Sequence, residues 1–114
     1  MPYVYMVYCE GGSVYTGLAH DIEKRMREHA ACSSACAKYT RMHPVRSLAV
    51  LWKTEDHRAA ARLEYRIKDL TRKEKDRLIA DPSQLYAFFP ELTEHSYEWQ
   101  QGVTMESLMK KQTP

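Results

Sequence analysis

Two short runs rich in Tyr and Val, Tyr3 to Cys9 and Val14 to Gly17, flank the turn-forming stretch Glu10-Gly11-Gly12-Ser13. That arrangement constrains the fold more than any other feature, because it reads as two antiparallel strands closed by a tight connection. The rest of the chain must build on a hairpin. Asp21 is placed to cap a helix over residues 22–31, with Ile22, Met26 and Ala30 on one apolar stripe. Residues 32–44 are small, polar and basic and read as a loop. Leu48-Ala49-Val50-Leu51-Trp52 is a short apolar run suited to a third strand. From His57 to Leu70 the spacing of Ala60, Leu63, Ile67 and Leu70 is helical. Thr71 followed by Glu74 is a capping box, so a further helix runs from there to about Ala80, where Asp81-Pro82 stops it. The expected order is β-β-α-β-α-α. The fold class is α/β of the α+β kind, a small, mainly antiparallel three-stranded sheet flanked by helices.

The chain has 114 residues, which suits one such domain. The expected division is a domain over residues 1–82 and an extension over 83–114. The extension is acidic and carries Tyr86, Phe88, Phe89, Tyr97 and Trp99, an aromatic content that argues against simple disorder. It is expected to pack back on the domain or to dock a protein partner, with Thr104 capping a short helix through Lys110. Charge divides along the same line. Residues 1–80 hold fifteen Lys and Arg against ten Asp and Glu, while residues 81–114 hold two against five, for a net charge of +2. A polyanion would bind the basic part, since neutralising phosphates releases condensed counterions. No stretch approaches the ~20 apolar residues that span a bilayer, so no membrane association is expected. The opening residues lack both a basic region and a long apolar core and read as a strand rather than a signal peptide. Three cysteines without a framework pattern suit a reducing compartment, and the cytoplasm is the expected location.

Several polar residues sit oddly for a plain core. Tyr5 and Tyr15 lie on the paired strands, Gly17 where the second strand turns toward the first helix, and Arg25 beside that helix's apolar stripe. Glu64 adjoins Leu63 and lies one turn from Ala60, so its carboxylate is near the buried edge of its helix. A carboxylate there is costly unless paired or metal-bound. The residues alone leave both options open, an ion pair with a neighbouring Arg or Lys and a metal ligand. A separate candidate is a structural zinc at His29, Cys32 and Cys36 with Cys9 or His43, although the spacing lacks paired Cys-x-x-Cys units.

Tyr3-Val4-Tyr5, followed by Tyr15-Thr16-Gly17 with Tyr15 ten positions after Tyr5, resembles the paired motif of the GIY-YIG nuclease superfamily. Asp21-Ile22-Glu23-Lys24-Arg25, then His29, resembles the helix that carries that family's arginine. Ala37-Lys38-Tyr39-Thr40-Arg41 and Glu64-Tyr65-Arg66-Ile67-Lys68-Asp69-Leu70-Thr71 resemble the branch of small single-domain bacterial proteins of the YhbQ type. The same branch includes the nuclease subunit of eukaryotic branched-DNA resolvases. The likeness covers about residues 3–80. The branch accepts Tyr3 in place of glycine and Thr16 in place of isoleucine; Ser33-Ser34-Ala35-Cys36 stands where it tends to have glycines.

The resemblance implies a metal-dependent endonuclease acting on DNA, including branched or single-stranded regions and the damaged DNA of repair or recombination. It implies Glu64 as ligand of a single Mg²⁺ or Mn²⁺, which hold waters and need only one or two carboxylates. Arg25 would hold the phosphate, and Tyr5 or Tyr15 would orient or deprotonate the attacking water. His29 would position a tyrosine or the phosphate, with a structural histidine as the alternative. Gly17 would let backbone and substrate approach closely. Lys38 and Arg41 are the expected DNA-backbone contacts, Tyr39 a base-stacking candidate, and Lys68 an extension of that surface. Two rivals stand beside this reading: a binding module of the same fold without catalysis, and a protein-interaction scaffold built on the extension.

Overall fold

The computed structural model describes residues 1–31 and 42–110. Strand β1 (Tyr3–Cys9) is central, paired on one side with β2 (Val14–Ala19) and on the other with β3 (Val45–Thr54), both antiparallel. Alternate β1 residues feed opposite faces. Val4 and Met6 join a core beneath two helices, α2 (His57–Lys68) and α3 (Arg72–Ala80), whereas Tyr5, Val7 and Cys9 face α1 (Ile22–Ala31). Burial on both faces explains the nearly unbroken apolar run of β1.

The helix boundaries follow local chemistry. Asp56 caps α2 by accepting from the Ala59 amide at 2.8 Å. Thr71 and Glu74 form the reciprocal capping box at the start of α3, with the Thr71 amide donating to Glu74 at 2.8 Å. The helix of the first β-β-α unit begins at Ile22, where the Lys24 amide donates to Asp21 at 3.1 Å.

Two expectations about the sheet are corrected. β3 is ten residues long rather than five, because register shifts at Met6/Val7 and Tyr8/Cys9 let it follow β1 beyond its apolar stretch. The sheet has four strands rather than three, in the order β2-β1-β3-β4. The added strand β4 (Tyr97–Trp99) comes from the extension and pairs with β3 through Trp52↔Trp99 and Thr54↔Tyr97. Its identity depends on an exposed neighbour edge that no local pattern announces.

The rest of the extension is equally committed. Helix α4 (Leu85–Phe88), between two 3-10 turns, places Leu85, Phe89 and Leu92 in the core beneath α2 and α3. The Tyr97 hydroxyl donates to the Ala59 carbonyl of α2 at 2.8 Å. Arg62 pairs with Glu94, and Arg66 with Glu91. Helix α5 (Met105–Lys110) then packs on α1, its first turn bound by the Ser107 amide donating to Thr104 at 3.0 Å. No helix among the described residues is long and apolar enough to cross a membrane.

Candidate active site

Antiparallel register sets Tyr5 directly opposite Gly17. A Cβ built on Gly17 would lie 2.5 Å from Tyr5 Cζ, so the phenol end of Tyr5 rests against bare backbone. The room expected to admit substrate is filled by Tyr5. Gly17 is therefore a seat for a protein side chain, and only glycine provides it.

Helix α1 lays its buried stripe, Ile22, Met26 and His29, against the same face of the sheet. His29 Nε2 comes within 2.8 Å of Tyr5 Oη, and Arg25 Nε donates to the same oxygen at 3.3 Å. Arginine can only donate, so the phenol accepts from Arg25, and across the 2.8 Å contact the donor is the phenol or His29 Nε2 according to the imidazole tautomer. A charged imidazole would leave a cationic Nδ1–H buried without a partner among the described residues, which favours the neutral ring. Electrostatics agrees. Burial, reinforced by the Arg25 charge, pushes the His29 imidazole down to about 4 against the opposing pull of Glu28. Burial likewise pushes the Tyr5 phenol up to about 12, with Arg25 resisting and the charges of Tyr15 and Glu64 adding to it.

Tyr15 completes an aromatic triangle, its ring centroid 6.4 Å from Tyr5 and 6.1 Å from His29. Tyr5 is wholly buried, whereas Tyr15 is only partly buried. On its other side, Lys68 Nζ of α2 stands 6.0 Å from the Tyr15 ring centre. Lys68 also pairs with Glu64 at 3.3 Å, so the ion pair weighed from the residues alone is present. The Glu64 side chain is one-quarter exposed, and its charge reaches the Tyr5 phenol. Tyr5, Tyr15, Arg25, His29, Glu64 and Lys68 thus gather where α1 and α2 approach the β2 edge of the sheet. Lys38, Tyr39 and Arg41, the expected DNA contacts, lie outside the described residues, as do Cys32 and Cys36 of the zinc candidate.

Two partners escaped the sequence reading. Glu28 accepts from Arg25 Nη1 at 3.1 Å, so the guanidinium is held at both ends, by the phenol and by a carboxylate. The i,i+3 spacing was the available signal. His20 and His57 stack nearly parallel with Nε2 and Nδ1 3.0 Å apart, joining the end of β2 to the start of α2. A cleft of about 270 Å³ opens beside α1, and Arg25, Lys24 and His20 are among its walls.

Among the described residues no group of three His, Cys, Asp or Glu side chains is placed to hold a metal ion. Glu64 instead offers one partly exposed carboxylate. That donor set does not make an all-protein cage, but it fits a hydrated Mg²⁺, which keeps several waters and takes one or two carboxylates.

A family model described as the GIY-YIG catalytic domain matches residues 1–77. The chain is 39% identical to the UPF0213 protein FN1575 of Fusobacterium nucleatum over 70% of its own length and 78% of the relative's. It is 38% identical to the UPF0213 protein VNG_2274C of Halobacterium salinarum, over 68% of this chain and 99% of that one. A solution NMR structure of the UPF0213 protein BH0048 from Bacillus halodurans is 35% identical, covering 78% of this chain and 97% of that one, with a TM-score of 0.47.

Proposed function

The chain belongs to the GIY-YIG catalytic-domain family, among its small UPF0213 members, and from that membership we propose that it is a divalent-metal-dependent endonuclease hydrolysing DNA phosphodiester bonds. The observation that carries the reading is the convergence on one sheet edge of a doubly held guanidinium, two phenols and a carboxylate drawn from four elements. Structural packing alone gives no reason to bury Tyr5 between Arg25 and a neutral histidine.

Arg25 is the phosphate ligand. Its fork is fixed in advance by Tyr5 and Glu28, so little orientation is lost when a phosphate oxygen arrives, and its charge offsets that of the transition state. Tyr5, held neutral, serves as a hydrogen-bonding strut between Arg25 and His29 rather than as a base. Tyr15, the less buried of the two phenols, orients the attacking water and, once its own proton has passed to solvent, receives the water's proton as phenolate. Glu64 would hold the metal, and Lys68 is the counter-charge paired with its carboxylate. The chemistry such a bound Mg²⁺ or Mn²⁺ would supply is Lewis-acid polarisation of the scissile phosphate and charge neutralisation at the leaving oxygen. DNA with branched or single-stranded regions is the proposed substrate, with the basic residues Lys38 and Arg41 on its backbone.

The Glu64–Lys68 pair also suits a module that binds nucleic acid without cutting it. Incubation with flaps, forks, nicked duplex and single strands, in Mg²⁺ or EDTA and beside Glu64→Gln, separates the two. We expect cutting by the parent in Mg²⁺ only, none by Glu64→Gln, and DNA binding by both. Binding by both with no cutting of any substrate would give the non-catalytic reading the field.

A further inference from the structure

The seat of α1 decides whether Arg25 and His29 meet Tyr5. Two residues of its buried stripe, Ile22 and Met26, share a core cluster with Tyr5, Val7 and Leu51, and with Met105 and Leu108 of α5. Met105 and Leu108 are 4% and 3% exposed, and α5 is the described element that α1 packs against most extensively. The path that delivers α5 is itself fixed. Tyr97 sits in the core beneath α2, β4 pairs with β3, and the Gln100 amide donates to the Leu51 carbonyl at 2.9 Å. A turn through Gly102, whose φ of 73° favours glycine, leads into α5 on the opposite face of the sheet. The segment therefore runs from the core under α2, which carries Glu64, round the β3 edge to the core under α1. Neither β4 nor α5 lies within the residues matched by the family model, and about a third of this chain has no counterpart in the Halobacterium relative.

We propose that α5 is a clamp on α1, with Met105 and Leu108 as positioning residues that press Ile22 and Met26 onto the sheet and so hold Arg25 and His29 at Tyr5. Only the purpose of the held groups rests on the nuclease reading; the clamp itself does not. A hydrogen bond of 2.8 Å between a helix and a strand tolerates little helix motion, and a displacement of about 1 Å is enough to cost a catalytic site its alignment.

The test compares the full-length protein with Met105→Ala/Leu108→Ala by NMR, without DNA or metal. It reads the titration of the His29 imidazole and the exchange of backbone amides. The clamp predicts that the His29 midpoint climbs from about 4 toward the ordinary 6.5, by about one unit or more, as water reaches the ring. Amides of α1 exchange at least about tenfold faster, while those of α2 keep their protection. Met105→Leu/Leu108→Met restores both readings. Leu92→Ala, a truncation in the other core cluster, lowers overall stability and leaves the His29 midpoint where it was. Should the double variant fail to fold, Leu108→Val reads the same changes at smaller amplitude. An unmoved His29 midpoint with unchanged α1 exchange, or an equal response to Leu92→Ala, overturns the clamp. A missing nuclease activity would leave these readings intact, so the two ideas fail separately.

Discussion

The buried chain Arg25–Tyr5–His29 contains one cation and two neutral groups, and each charge state follows from burial and from which atoms can donate. His29 carries the clearest consequence. Its folded value, near 4, lies below the 6.5 of an exposed imidazole, so between those values the unfolded chain gains a proton that the folded chain refuses. Stability is then full above about pH 6.5, declines as pH falls toward 4, and levels off below, a loss on the order of 3 kcal/mol for this group. Urea unfolding midpoints measured across that range, for the parent and for His29→Gln, check this. The slope should flatten in the variant. Gly17 gives a steric prediction. Gly17→Ala forces the Tyr5 phenol off its seat, which should cost about 1–3 kcal/mol by thermal or urea unfolding. The same change should also slow cleavage more than it weakens DNA binding. None of this was legible in the sequence, where Tyr5 and His29 stand 24 residues apart and Gly17 reads as room for substrate. Contact across strand register exists only once the strands have paired.

Elements with their own punctuation could be read directly. α3 begins at Thr71 and Glu74 because the two satisfy orphan amides reciprocally, and Thr71→Ala should therefore cost about 1 kcal/mol in urea unfolding, with the rest of the fold kept. Strands β1 and β2 were equally visible, since turn chemistry separates two β-rich runs. α1 and α2 showed through apolar spacing, although α2 ends at Lys68, two residues sooner than its pattern suggests, where the Asp69 amide already turns back to Tyr65 and Ile67. β4 and α4 were hidden. Three and four residues carry no period of their own, and they form because β3 has a free edge and because the core beneath α2 has room for Leu85, Phe89 and Leu92. Thr104, by contrast, signalled α5 with a cap that forms as expected.

Taken whole, the molecule pairs a basic body with an acidic closing segment, and Glu91 and Glu94 spend their charge on Arg66 and Arg62 of α2. Exposed pairs of this kind add little stability, but they leave fewer cations for a polyanion on that side of the helix. Binding should therefore rest on the α1 side and on the basic residues Lys38 and Arg41. Lys38→Ala/Arg41→Ala should lower the slope of log affinity against log salt by about 2 in fluorescence anisotropy, without changing the cleavage rate at saturating DNA. The family and fold class were within reach of the sequence because motif order and spacing are linear properties. The union of Glu64 with Arg25 and the two phenols is spatial, and on it the proposed chemistry depends. Its most direct test is single-turnover cleavage of an end-labelled flap substrate at saturating protein and Mg²⁺, parent against Glu64→Gln. The account predicts one metal-dependent cutting phase for the parent and a loss of at least about 10³-fold in the variant, with the DNA still bound. Equal rates from the two proteins would contradict it.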